Sequence, residues 1–153
     1  MKKIFFILSI TIFCSFVNSS KNFELPTTWT NDFSINIYQG GGMINQSTKV
    51  IFRIDSLIYT EMKHSKKNVK RHKLTNDEKQ EILAKVKQLN AEIISSAATN
   101  LKHDKETTEI CFNLSSNSHC FSSGATEEVI EKYSKNFGDM YKYLLDFAKN
   151  KTK

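Results

Sequence analysis

Proline occurs once in these 153 residues, at Pro26, and glycine only five times. That scarcity, beside eleven phenylalanines, excludes a chain that is disordered by composition. Signatures of chemistry are missing too. There is no HExxH, no GxSxG and no paired cysteine motif. The four histidines are scattered. His103-Asp104 is the nearest approach to a catalytic pair, but it lies in a polar loop with no nucleophile signature beside it. No catalytic residue, metal ligand set or cofactor is assigned, and the expectation is a non-enzymatic protein.

The chain begins MKKIFFILSITIFCSFVNSS. Lys2 and Lys3 precede an apolar run from Ile4 to Val17, and Val17 and Ser19 stand at the −3 and −1 positions of a cleavage site. About 14 apolar residues suit the h-region of a secretory signal peptide and are short for a membrane span. An uncleaved anchor is the weaker reading for the same reason. Lipid attachment at Cys14 needs small residues just before it, where this chain has Ile12 and bulky Phe13. The expectation is a signal peptide over 1–19 and one exported domain over 20–153, periplasmic or secreted. Its 134 residues suffice for a sizeable core. Cys111 and Cys120 remain after cleavage, and an even pair in an oxidising compartment points to one disulfide.

Along the domain, Trp29 reads as a cap on the edge of the core. Phe33–Tyr38 and Val50–Asp55 alternate as half-buried strands. Leu57–Lys63 reads as a third strand, and Val69–Leu74 as a fourth, polar one at an edge. Thr75 and Glu78 form a capping box ahead of a helix with Ile82, Val86, Leu89 and Ile93 on one face. Ser95–Lys105 reads as an irregular connection. Thr107–Leu114 and His119–Ser122 flank a turn. A two-residue turn at Ser115-Ser116 sets Cys111 opposite Cys120, and a four-residue turn makes them diagonal neighbours. A metal site with His119 is the alternative, and it lacks a second tight ligand pair. Finally, Thr126 caps a helix whose first turn holds Glu127 and Glu128. Its stripe runs through Ile130, Tyr133, Phe137, Met140, Tyr141, Leu144, Leu145 and Ala148. The order β-β-β-β-α-β-β-α predicts an α+β fold, an antiparallel sheet with two helices packed on one face.

Gly40-Gly41-Gly42 lie between two strands. A phosphate cradle leads from a strand into a helix, so the nucleotide reading fails. Two readings remain. The glycines form a bulge or a close backbone approach, or they hinge a binding loop over Gln39–Lys49 that presents Met43 and Ile44 to a partner.

Charge supplies a second candidate. Cleavage removes Lys2 and Lys3 and leaves 20 basic against 16 acidic side chains, a net +4. Glu61–Lys73 alone carries +5, from Lys63, Lys66, Lys67, Lys70, Arg71 and Lys73 against Glu61. The basicity is local. It reads as a solvated edge that resists aggregation, or as a patch for an anionic surface or an acidic envelope or secreted protein. Nucleic acid is not expected as a partner, and no oligomeric state is implied.

The alternating strand with its glycines (Ile35-Asn36-Ile37-Tyr38-Gln39-Gly40-Gly41-Gly42), a second strand, and a helix opening Leu74-Thr75 to Glu78 resemble the emfourin-type inhibitors of thermolysin-like metalloproteases over Phe33–Leu89. That resemblance implies an inhibitor of a secreted protease. It does not include the cysteine hairpin or the last helix, and the basic hairpin departs from the pattern. The whole chain is similar to small exported bacterial envelope proteins of unknown function, which imply no activity.

Overall fold

A computed structural model describes residues 23–42, 46–100 and 104–153. The expected signal peptide with Cys14 lies outside these residues, as do Met43, Ile44 and His103. The chain forms β1 (Phe33–Gly41), β2 (Gln46–Phe52), β3 (Leu57–Lys63), β4 (Lys66–His72), helix α1 (Asn76–Gln88), β5 (Ser96–Ala98), β6 (Glu106–Leu114), β7 (Asn117–Ser123), β8 (Glu127–Val129) and helix α2 (Ser134–Lys151). Six strands make one antiparallel sheet in the order β4-β3-β2-β1-β6-β7, and β5 and β8 pair apart from it. The fold is α+β, as the periodicity implies.

The period of two decides which face is buried. In β1, Phe33, Ile35 and Ile37 point inward. Register places Phe52 and Val50 of β2 beside them on one side, and Phe112 and Ile110 of β6 on the other. Phe121 extends the row into β7. The helices cover this face alone. Ile82, Leu83 and Val86 come from α1, and Phe137, Met140, Leu144 and Ala148 from α2. Each fully buried Leu, Ile or Phe side chain contributes roughly 1.5–3 kcal/mol. Trp29 closes one end. It is 7% exposed, meets the Phe33 ring edge-on at 4.9 Å and donates its indole N–H to the Phe33 carbonyl at 3.2 Å.

The strands outrun their apolar alternation. β1 continues to Gly41 because it pairs on both edges, Gly40 with Ser47 and Gly41 with Glu106. The eleven-residue loop expected over Gln39–Lys49 therefore shrinks to the connection 42–45. β4 starts at Lys66 rather than Val69. His64 and Ser65 take left-handed φ of 46° and 67°, closing a two-residue turn between Lys63 and Lys66. β2 ends at Phe52, where the Arg53 amide donates to the Ser56 carbonyl at 2.8 Å.

Both helices differ from expectation at one end. The Thr75–Glu78 capping box is present, but α1 stops at Gln88. Asn90 turns left-handed (φ 55°), so Ala91 and Ile94 become buried while Ile93 is 57% exposed. The segment read as an irregular connection supplies β5, and β5 captures Glu127–Val129 as β8. Thr126 therefore does not cap α2. The Glu127 carboxylate accepts hydrogen bonds from the Ser122 and Ser96 hydroxyls at 2.7 and 2.8 Å, and these hold its pKa below the ordinary value. α2 begins at Ser134, and Ile130 stays exposed.

Two ties join the sheet to itself and to the helices. The two-residue turn at Ser115-Ser116 puts Cys111 opposite Cys120, and a disulfide links them across β6–β7 with Cα atoms 4.1 Å apart. Their register sets the bond on the face away from the helices. Glu78 is the second tie. Its carboxylate lies 2.8 Å from the Lys151 ammonium at the end of α2 and 3.0 Å from His72 Nε2 at the end of β4, and it accepts the Thr75 amide at 2.9 Å. Burial pushes its pKa up, but the hydrogen bonds from Lys151, Thr75 and His72 outweigh burial and hold it down at about 2.

Removing the staple in a Cys111→Ser, Cys120→Ser variant is expected to lower stability by about 2–3 kcal/mol, read from urea unfolding under oxidising conditions. Glu78 gives a pH signature. Its folded pKa is depressed from 4.5, so its contribution is fully present above that range and is lost as pH falls through about 2. The stability gap between wild type and Glu78→Gln is expected to be flat above neutral pH and to shrink on acidification below about 4.5.

Candidate functional site

Among the described residues, no helix covers the second face of the sheet. Its composition follows from register, because cross-strand partners share a face. Tyr38 of β1 stands beside Lys49 of β2, which stands beside Thr60 of β3 and then Val69 of β4. The neighbouring row holds Ile51, Ile58 and Arg71, and the next holds Ser47, Met62 and Lys67. Tyr38, Met62 and Val69 are exposed by 40%, 43% and 42%, and Ile51 and Ile58 lie half-buried between them. An apolar strip thus runs toward β4, bordered by Lys49, Lys67 and Arg71. Glu109, beside Tyr38 on β6, is the acidic side chain at the far end. A shallow depression of about 300 Å³ lies there, lined by Asn36, Tyr38, Lys49, Glu109, Cys111 and Asn113.

The basic residues divide between two faces. Lys67 and Arg71 share the open face with Val69, whereas Lys66 and Lys70 point to the helix side with Lys63 and Glu61. Lys73 follows the strand. All six cations are exposed, as is every β4 residue up to Arg71. The positive charge therefore forms an edge with two sides. On the helix side, Tyr59 donates to Glu61 at 2.6 Å, and burial together with that carboxylate raises the Tyr59 pKa. A cleft of about 380 Å³ lies beside it, lined by Glu61, Lys63, His64, Lys66 and Asn68.

The strand that follows the glycines begins beside the basic hairpin. Gln46 pairs with Lys63, so the β1–β2 connection ends beside the His64-Ser65 turn. Each of the three glycines has a local structural reason. A Cβ on Gly40 would sit 2.6 Å from the Tyr38 hydroxyl and 2.7 Å from Ser47 Cβ. Gly41 has φ +92°, and Gly42 has φ +71° with the Asp104 carbonyl 3.0 Å from where its Cβ would stand. A close backbone approach, one reading of these glycines, is present at Gly42, whereas Gly40 is crowded by side chains.

No protein-family model and no curated protein sequence matches this chain. The site must therefore be read from its own geometry. His119 is packed between the Phe23 and Phe121 rings, each 5.4 Å away, and its Nε2 faces the Ala91 carbonyl at 3.1 Å. Register turns its side chain to the face opposite Cys120. Among the described residues, no three His, Cys, Asp or Glu side chains gather as a metal site, and no helix is long and apolar enough to cross a membrane. A groove of about 480 Å³ between α1 and α2 mixes Glu81, Lys85, Lys142 and Asp146 with Tyr143 and Phe147. There the Tyr143 hydroxyl donates to Glu81 at 3.1 Å, and burial with that partner raises its pKa.

Sequence periodicity alone does not assemble the strip of Tyr38, Ile51, Ile58, Met62 and Val69. These residues lie at the outward positions of four strands, and only register brings them together. The single readable trace is that strands carry isoleucine or methionine at positions the alternation assigns to solvent. Substituting Gly40→Ala is expected to cost about 1–3 kcal/mol in chemical denaturation. The Tyr38 side chain can swing aside, but Ser47 Cβ is fixed to the paired strand.

Proposed function

We propose that this chain is an exported, non-enzymatic binding module that engages an anionic partner through the β3–β4 hairpin. One observation carries this reading. Every β4 residue from Lys66 to Arg71 is exposed, with cations on both sides and Met62 and Val69 beside them. A purely protective edge needs only an occasional lysine. Here the hairpin region holds +5 while the remainder of the exported chain sums to about −1. Such polarisation orients the molecule toward an anion before contact, and the apolar side chains add contact area once it arrives. The disulfide supports the exported location, since such bonds persist in oxidising compartments.

The reading is tested by capture from envelope extract with the exported chain and with a Lys66→Glu, Lys67→Glu, Lys70→Glu, Arg71→Glu variant. Wild type is expected to hold a discrete partner that the variant loses, with retention falling steeply as salt rises to about 0.5 M. Equal capture by the variant would remove the hairpin from the function. The fold of the variant is checked by its unfolding midpoint, which is expected to stay close to wild type because all four side chains are exposed.

A further inference from the structure

The two edges of the six-stranded sheet are treated differently. Beyond β7, the chain folds back as β8. The Gly124 amide donates to the Glu127 carbonyl at 2.8 Å, and the Ser122 hydroxyl reaches the Glu127 carboxylate. β7 carries no lysine or arginine. Beyond β4, no described strand pairs. β4 is also regular, because its seven residues pair one-for-one with β3 from Lys66 to His72 without a bulge. It contains no proline. A strand of that length offers about 24 Å of straight edge.

The turn determines which backbone groups face outward. A two-residue turn closes on a hydrogen-bonded pair, here Lys63–Lys66, and the pairs then alternate. Lys66, Asn68, Lys70 and His72 exchange their amide and carbonyl bonds with β3. Lys67, Val69 and Arg71 present theirs to solvent, three N–H and three C=O groups in line.

We infer that β4 is a docking edge for an acidic, extended polypeptide segment, which adds to the sheet as a seventh strand. This rests on the reading of the hairpin as the binding surface and specifies its partner and mode. Charge complementarity selects the occupant. An added strand lies in the plane of the sheet and sends alternate side chains to both faces. It meets Lys67 and Arg71 on the open face and Lys66 and Lys70 on the helix side, with Val69 between the first two and Asn68 between the second two. A flat anionic surface laid on the open face meets Lys67 and Arg71 and leaves Lys66 and Lys70 on the far side. The same lysines repel basic segments and a second copy of this edge, so the edge is open to one sign of charge. The complementary segment carries acids opposite Lys66, Lys67, Lys70 and Arg71, a small polar residue opposite Asn68 and an aliphatic one opposite Val69.

The test uses a synthetic peptide of that pattern, with glutamates facing the four cations and a valine facing Val69, titrated into the exported chain. Anionic phosphatidylglycerol vesicles serve as the flat-surface probe. Peptide binding is expected to slow amide exchange at Lys67, Val69 and Arg71. Replacing Val69→Pro removes one outward N–H and keeps every charge, at a position where an edge strand tolerates proline. It is expected to weaken peptide binding by at least about tenfold. The same peptide with alternate backbone amides N-methylated is expected to lose as much against wild type, an arm that does not depend on the folding of any variant. Unchanged affinity in both arms would overturn strand addition and leave adsorption by charge, with the hairpin still the binding surface. Binding to vesicles without binding to the peptide would overturn it in favour of a lipid surface. Failure of both probes to bind wild type would overturn the strand and the hairpin reading together.

Discussion

β1 is hydrogen-bonded along both of its edges for most of its length, to β2 from Ile35 to Gly40 and to β6 from Phe33 to Gly41. Its inward residues Phe33, Ile35 and Ile37 are at most 1% exposed. A central strand fixed on both sides fixes the register of its neighbours, and a slip by one residue would turn each buried row to solvent. Everything else depends on that register. It aligns Phe52 with Phe112 across Ile35, gives the helices a continuous apolar floor, and carries Tyr38, Lys49 and Thr60 toward Val69 on the other side. The open face and the core are two readings of one alternation.

Electrostatics complete what packing begins. Three elements that are distant in sequence converge on the Glu78 carboxylate, namely the end of β4, the start of α1 and the end of α2. A carboxylate with few water contacts is tolerated because it is satisfied from three directions. This arrangement holds the last residue of the basic strand against the helical layer, so the rest of β4 extends from a fixed base. Tyr141 is a parallel case. Its hydroxyl donates to Gln39, and burial and the nearby Glu106 push its pKa up to about 12. It thereby joins α2 to the far end of β1.

The legible parts of the fold were those written in short-range pattern. Period-two alternation marks Ile35–Ile37 and Val50–Phe52, the Thr75–Glu78 box marks the start of α1, and the spacing from Phe137 to Ala148 marks α2. What was illegible depends on partners far along the chain. Glu127-Glu128 have helix-opening chemistry, yet Ser96–Ala98 draws them into a strand. Ile93 fits the α1 stripe, yet the left-handed Asn90 rotates it outward. Of the candidate site, the lysines of β4 were visible as a charge run. Their division between two faces was not, because it depends on where the His64-Ser65 turn sets the register. The glycines read as one loop, but Gly40 and Gly41 pair with β6 and belong to the sheet.

The position of the disulfide bears on the order in which the molecule matures. Cys111 and Cys120 lie on the outer face of β6–β7, with Cys120 exposed, while Ile110, Phe112 and Phe121 of the same two strands fill the interior. Neither cysteine sulfur contributes to the hydrophobic interior. The chain can therefore assemble its interior with both thiols reduced, and the hairpin register then presents them side by side. The bond lies on a surface whose register the strands themselves set, so it can form or be undone there without opening the interior.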